Sequence, residues 1–414
     1  MWLLLAMIFI MPLEQNPYLK ISETFLGLIS DFTVIKLVGL LGVGWALLRA
    51  AGGGVPPVFA SRTPRLFALF FTCVLLSGIV NASGLLSLQR YLAFLLLLPF
   101  VLVAVDTRDN LRRVVYALAL SMILVMPYAV RQMIRFDSRL GEGVTDPNYF
   151  AANLLLVIPL AAVIAARQPT RGRRVLWGAG AVVLVIGLAL TASRGAFLGM
   201  TVAGMVFGYR RWGAFGAAGV LALLVAMVLP TRMGERWLST LGLGPVPTGL
   251  AASNQAHEAL LWGGLRMVAD APLFGVGPYR FKELSRVYAD LQDLPYGLVA
   301  HNTYLELAAE TGLPTLLVFL LLLGSVFVSL TRVARAARGA GSPEEREMAG
   351  WAEAMKVGLV GFAVAAAFVS AQYEKLLWIV VFLSAAMERL VAEKVPSPAT
   401  APVPPASAAV LERG

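Results

Sequence analysis

The sequence predicts an all-α, polytopic membrane protein with about twelve transmembrane helices and one larger extracytoplasmic loop containing short helices. Three observations predict it. The chain is 58% hydrophobic and only 14% charged, where soluble domains carry roughly a quarter charged residues. Stretches such as "YLAFLLLLPFVLVAV" and "VLWGAGAVVLVIGLALTAS" contain no Asp, Glu, Lys, Arg or His. Apolar runs of about 20 residues match the roughly 30 Å hydrocarbon core at about 1.5 Å per residue, and lipid obliges the backbone to satisfy itself within helices.

Twelve spans are expected, near residues 1–13, 32–48, 65–81, 88–105, 111–130, 149–166, 175–193, 195–209, 212–230, 313–331, 352–371 and 373–391. The first, "MWLLLAMIFIMPL", has no basic leader and no small-residue cleavage site, so it reads as a span and not as a removed signal peptide. The arginines gather in loops 49–65, 106–113, 167–174, 210–211 and 332–350; "RQPTRGRR" alone holds four in eight residues. With twelve spans all five loops share one side, and the positive-inside rule makes that side cytoplasmic, with both termini there. The segment 231–300 and the tip "ASRG" at 192–195 then face outward. Residues 1–395 form the membrane domain, and the Pro/Ala-rich end 396–414 has too little to bury to fold.

Composition also excludes function classes. The net charge of +10 fits cytoplasmic loops and anionic headgroups, not nucleic acid, in a chain of this hydropathy. The single cysteine, Cys73, lies in an apolar run and offers no intrachain disulfide or thiolate metal site.

Polar resources concentrate at the outward side. The span after "TASRG" is short: fifteen residues rise about 22 Å. Arg194 is therefore drawn towards lipid depth, where an arginine either snorkels to phosphate or faces an anionic partner, with bidentate geometry suited to phosphate. Leu260, Leu261, Leu265 and Val268 recur at helical spacing and predict an amphipathic surface helix over 254–270. Arg266, Arg280, Lys282 and Arg286 add a basic strip, either solvated or facing headgroups or a pyrophosphate. The glycines of "GVGP" belong to no nucleotide-loop pattern.

The stretch "HNTYLELAAETGLP" begins with His301, one of two histidines in the chain. Helical spacing stacks Asn302, Glu306 and Glu310 on one side, next to a face holding His301, Tyr304, Leu305 and Ala308. Histidine is the side chain whose ordinary pKa suits proton transfer near neutrality. Asn302 and the two acids either orient the imidazole or cap and solvate the helix. His257 and Glu258 share the outward segment, but no HExxH or CxxC spacing marks a metal site.

Taken in order, "TDPNYFAANLLLVIPLA", "TASRGAFLG", "LLWGGLRMVADAPLFGVGPYRF" and "HNTYLELAAETGLPTLLVF" resemble the bacterial O-antigen ligase and O-antigen polymerase superfamily. The resemblance implies a metal-independent glycosyltransferase of the inner membrane that uses no cofactor. Its donor would be a glycan on undecaprenyl pyrophosphate, and its acceptor a sugar hydroxyl on lipid A-core (ligase) or on a second glycan (polymerase). It places the functional histidine at His301 and the SRG arginine at Arg194. The family's loop arginine, four residues before Trp262, is replaced here by Glu258, so Arg266 or Arg280 is expected to substitute, with Asn302 and Glu306 as further substrate-binding candidates. His301 would act as base and the arginines would hold developing phosphate charge, in one inverting displacement. A lipid or polysaccharide transporter is the competing class, but ionisable residues are nearly absent from the middles of the spans.

Overall fold

The computed structural model describes residues 1–25, 29–53, 58–59, 61–229, 231–244, 250–290 and 297–392. Through them run helices α1 (Trp2–Ile10), α2 (Val34–Ala51), α3 (Arg62–Val80), α4 (Leu85–Ala104), α5 (Arg108–Phe136), α6 (Pro147–Ala166), α7 (Arg171–Leu190), α8 (Arg194–Val228), α9 (Arg232–Thr240), α10 (Leu250–Asp270), α11 (Phe281–Tyr288), α12 (Thr303–Thr311), α13 (Leu313–Ala340), α14 (Pro343–Ala365) and α15 (Lys375–Ala392). Among the described residues, nine helices are long and apolar enough to cross a membrane. The other three expected spans fall on the shorter α1, on the second arm of α8, and on α15, which carries Lys375, Glu388 and Arg389. The tail expected to be disordered, 396–414, lies outside the described residues.

Helix α8 is two arms. Gly213 leaves helical geometry at φ 68°, ψ −157°, a conformation open to glycine because it lacks Cβ. A Cβ on Gly208 would sit 2.7 Å from the Gly216 carbonyl oxygen, so the arms double back against each other. The break falls beside Arg210 and Arg211, where the sequence places a cytoplasmic turn.

Two departures from the expected fold have physical causes. An antiparallel hairpin joins β1 (Lys20–Phe25) to β2 (Ile29–Thr33), where the reading was all-α. The two strands pair from Lys20 with Thr33 to Phe25 with Ile29, and Lys20 Nζ reaches Asp31 Oδ1 across the ladder at 2.9 Å. The span expected over 352–371 ends early, at Ala365. Beyond it the chain unwinds because the Ala366 and Val369 carbonyls turn to accept the Thr303 N–H.

The core gathers on α15. Trp378 is fully buried, with Phe67 and Phe94 ring centroids each 5.2 Å away. Its Nε1–H donates to the Gln372 carbonyl at 2.9 Å, so the one polar atom of the ring is satisfied. Helix α8 meets α14 and the connection after it through glycine: a Cβ on Gly199 would lie 2.3 Å from the Gly361 oxygen of α14, and one on Gly195 2.6 Å from Phe368 Cβ just beyond that helix. Small residues four apart let membrane helices approach at backbone distance. This contact sets the depth of the α8 N-terminus, and so of Arg194.

Candidate active site

His301 sits in a turn that the sequence alone would not choose. Its φ of 50° is left-handed, costly for a residue with a Cβ and found where the surroundings enforce it. The enforcement is visible on both sides. Before the turn, the Ala300 N–H donates to Glu306 Oε2 at 2.9 Å. After it, Asn302 Oδ1 accepts from the Tyr304 and Leu305 N–H groups at 3.0 and 3.1 Å, an N-cap that starts α12. The Thr303 N–H reaches the Ala366 carbonyl at 2.8 Å, and its Oγ1 donates to the Val369 carbonyl at 2.6 Å. The Tyr304 hydroxyl donates to the Ala363 carbonyl at 2.6 Å.

The far end of α12 is fixed by the "GVGP" loop. Val276 and Gly277 N–H groups donate to the Ala309 and Glu310 carbonyls, both at 2.9 Å. Gly275, at φ 63°, lies so close to Glu310 that a Cβ would meet its carbonyl carbon at 2.3 Å. These glycines serve backbone-to-backbone packing.

The "TASRG" tip is built by two arginines from elsewhere. Arg139 Nε donates to the Thr191 carbonyl at 2.7 Å, and Arg236 Nη1 to the Ala192 carbonyl at 2.9 Å. Ala192 is itself left-handed, φ 49°. Arg139 Nη2 also bonds Asn148 Oδ1 at 3.0 Å, and Asp146 caps α6 by accepting from the Asn148 N–H at 2.8 Å. The Asp-Pro-Asn segment therefore connects to the SRG tip through Arg139. The tip and the histidine turn meet on one support: Phe368, which packs on Gly195, lies between the two carbonyls that hold Thr303.

His257 joins them. Its ring centroid is 4.7 Å from that of His301, with the planes at 59°. On α10 it shares a face with Leu260, Gly264 and Met267, which are buried; a Cβ on Gly264 would press on Leu305 at 2.7 Å. Although one side of His257 is open, crowding lowers its imidazole to about pKa 4, by desolvation first and then by the positive charges of His301, Arg194 and Arg236. Burial lowers His301 as well, against an opposing pull from Asp146. Both rings are therefore neutral at neutral pH. Burial also depresses Arg236 to about 10, and Arg139 and Arg194 push in the same direction. Arg139 is lowered by burial, with Asp146 and Glu142 opposing and Arg194 assisting. Three guanidiniums that repel one another near two neutral imidazoles are chemically suited to a polyanion, with a proton acceptor at hand.

Several expected site residues stand elsewhere. Arg266 follows His257 by nine residues, half a turn out of phase on α10, and donates to the Tyr288 carbonyl at 3.1 Å. Arg236 and Arg139, not Arg266, are the arginines that reach the SRG tip. Arg280 N-caps α11 and lines a separate cleft, with Glu283 at 3.6 Å. Asn302 Oδ1 is used by the helix cap. Glu306 is 2% exposed and accepts from the Ser370 hydroxyl at 2.5 Å and Gln372 Nε2 at 2.7 Å, besides Ala300. The carboxylate expected to bind substrate is thus engaged by three donors inside the protein, beside the histidine turn. Neither it nor Glu310 is solvated. Burial raises both carboxyls, and the Glu306 charge raises Glu310 further. The amphipathic reading of 254–270 also shifts in phase: Leu261, Trp262 and Leu265 are exposed, while Leu260, Gly263, Gly264 and Met267 face the protein.

The segment that carries Arg194, Arg236, His257, His301 and Glu306 is also the one with recognisable relatives. No curated protein matches the chain. Residues 179–320 match the family model described as O-antigen ligase, so this part of the chain is similar to the O-antigen ligase superfamily.

Proposed function

We propose that the protein transfers a glycan from undecaprenyl pyrophosphate to a saccharide hydroxyl at the outer face of the bacterial inner membrane. The observation that carries this reading is His257, 4.7 Å from His301 and within the field of Arg194 and Arg236. In the reading, the acceptor oxygen attacks the anomeric carbon while His301 takes its proton. The bond from that carbon to the phosphate oxygen breaks, and the electron pair leaves on the pyrophosphate. A neutral imidazole is the form a base requires. The departing phosphate gains charge, so preorganised guanidiniums favour the transition state over the bound donor. One displacement inverts the anomeric centre. The residues named need no metal for these roles.

Twelve spans, both termini in the cytoplasm and 231–300 outside are part of the same reading. The arginine distribution among the loops supports them. The acceptor, lipid A-core for a ligase or a second lipid-linked glycan for a polymerase, involves the same donor chemistry. A transporter would hold its polar cluster near the middle of the bilayer, whereas here it lies at helix ends.

The test is reconstitution of purified protein with undecaprenyl-pyrophosphate glycan and either lipid A-core or a second donor. His301→Ala and Arg194→Ala are expected to abolish product in folded protein, and EDTA to leave the wild type active. Full turnover by either variant, or labelled-glycan transport that survives His301→Ala, refutes the reading.

A further inference from the structure

We propose that a second cleft on the protein, separate from the arginine pocket, is a subsite for an anionic saccharide; this rests on the glycan-transfer reading above. The cleft, of about 650 Å3, lies between the α3–α4 connection and the start of α11, and its lining includes Asn81, Ser87, Tyr279, Arg280, Lys282 and Glu283. Small-molecule pockets are lined mostly by apolar side chains. This one offers an amide, hydroxyls, a phenol and two cations, which suits a polyhydroxylated ligand and not a lipid tail. Two cations face one acid, and that acid is 70% exposed and reaches Arg280 only at 3.6 Å. The balance favours a sugar that carries a carboxylate or phosphate.

Tyr279 gives the cleft a fixed wall. Its backbone is left-handed at φ 62°, and its ring is 41% exposed. Arg90 on α4 holds it by two means, donating to the phenol oxygen at 2.8 Å and stacking its guanidinium 4.4 Å from the ring centroid. Tyr373 packs edge-on at 5.9 Å and donates its own hydroxyl hydrogen bond to Glu310 Oε2 at 2.8 Å. Strain held in place by this many partners is a mark of a positioned side chain, and an immobilised aromatic beside hydroxyl and cationic groups is a stacking wall for a pyranose.

The chain leads directly from the cleft to the reacting centre. Gly297 lines the cleft, pressed so closely on α11 that a Cβ would overlap the Lys282 oxygen at 1.6 Å, and the chain then runs four residues to His301. The two places are separated by the length of α12, nine residues or about 13 Å, a gap that a short oligosaccharide bridges.

The experiment measures binding and turnover separately. Purified protein in lipid nanodiscs is titrated with trigalacturonate, neutral galactotriose and inorganic phosphate, read by saturation-transfer NMR and calorimetry. Trigalacturonate is expected to bind at least tenfold more tightly than galactotriose. Its affinity falls at least tenfold in the Arg280→Ala/Lys282→Ala double variant and in Tyr279→Ala, and stays unchanged in His301→Ala. In turnover, the double variant raises KM for whichever substrate bears the anionic sugar, donor or acceptor, with kcat changed less than threefold. Absence of trigalacturonate binding, indifference to the cleft variants, or complete displacement by equimolar phosphate overturns the proposal. Because His301→Ala should retain binding, its activity decides the transfer mechanism independently of the subsite.

Discussion

Gly195→Ala isolates the coupling between the SRG tip and the histidine turn. The added Cβ would lie 2.6 Å from Phe368 Cβ, with Cγ and Cδ2 at 3.1 and 3.2 Å. Ordinary carbon–carbon contact is roughly 3.5–4.0 Å, so something must yield by about 1 Å. Phe368 cannot swing away by a side-chain rotation alone, because its Cβ is the nearest atom. The backbone must move, and Ala366 and Val369 on either side carry the carbonyls that hold Thr303. Overpacking of this kind costs about 1–3 kcal/mol, of which the better helix propensity of alanine returns at most about 1 kcal/mol. The stability change is therefore small. The catalytic change is not, since misplacing a reacting group by about 1 Å can lower turnover on the order of 100-fold.

The assay compares kcat, donor KM and melting temperature for wild type, Gly195→Ala and Gly39→Ala. Nothing lies within 4 Å of a Cβ at Gly39, so that variant controls for an added methyl in a membrane helix. Expected are a fall in kcat of roughly 10- to 100-fold for Gly195→Ala, donor KM nearly unchanged, and a control that behaves as wild type. Wild-type kcat in Gly195→Ala would show that Arg194 and His301 are not set by a shared support.

Four further outcomes follow from the same geometry. Arg236→Ala removes a charge-assisted bond to the Ala192 carbonyl, worth about 1.5–3 kcal/mol, and is expected to lower kcat/KM for the donor roughly 10- to 100-fold. Arg266→Ala, which breaks only a contact to Tyr288, should change the same ratio by less than about threefold. Glu306→Ala strips the Ala300 N–H, Ser370 and Gln372 of their acceptor; the melting temperature should fall with kcat, as buried donors left unpaired cost about 1–3 kcal/mol each. Activity should decline as pH drops through the His301 value, which burial sets below the ordinary histidine pKa of about 6.5. Asp146 pulls that value upward, so Asp146→Asn, still able to cap α6, should move the acid limb of the pH–rate profile lower. A limb that stays in place or moves higher counts against His301 as the base.

Hydropathy made the spans legible because lipid leaves the backbone few options, and rarity made His301 and Arg194 legible because ionisable groups beside apolar spans are costly. The partners of those two residues were not legible in the same way. Arg139 and Arg236 reach the tip through carbonyls of Thr191 and Ala192, contacts between distant segments that leave no periodicity. Arg266 is one of two expected substitutes by its proximity to Trp262, yet helical phase turns it away from His257. For His257 the available signal was that both histidines fall in one outward stretch; the 4.7 Å separation depends on Gly264 letting α10 settle on α12. Glu306 and Glu310 were read as helix-face polar groups because spacing shows a face but not what covers it.

What covers them is the connection between α14 and α15, and it changes how the site is bounded. The family match spans residues 179–320, but the groups that fix its histidine, Ala366, Val369, Ser370 and Gln372, lie beyond it. In sequence this stretch, "AAFVSAQYEK", carries Ser370, Gln372, Glu374 and Lys375 at the boundary expected between two spans, but nothing in it shows that the helix ends as early as Ala365. The break arises because Thr303 and Glu306 compete for its backbone and side chains more effectively than another helical turn would, satisfying buried polar groups on both partners at once. The left-handed His301 is thus maintained by a segment far from it in the chain. The Gly195 contact makes the same segment set the depth of Arg194. A site in which base and cation are both referenced to one short unwound connection should tolerate changes in the outward loop better than changes in that connection.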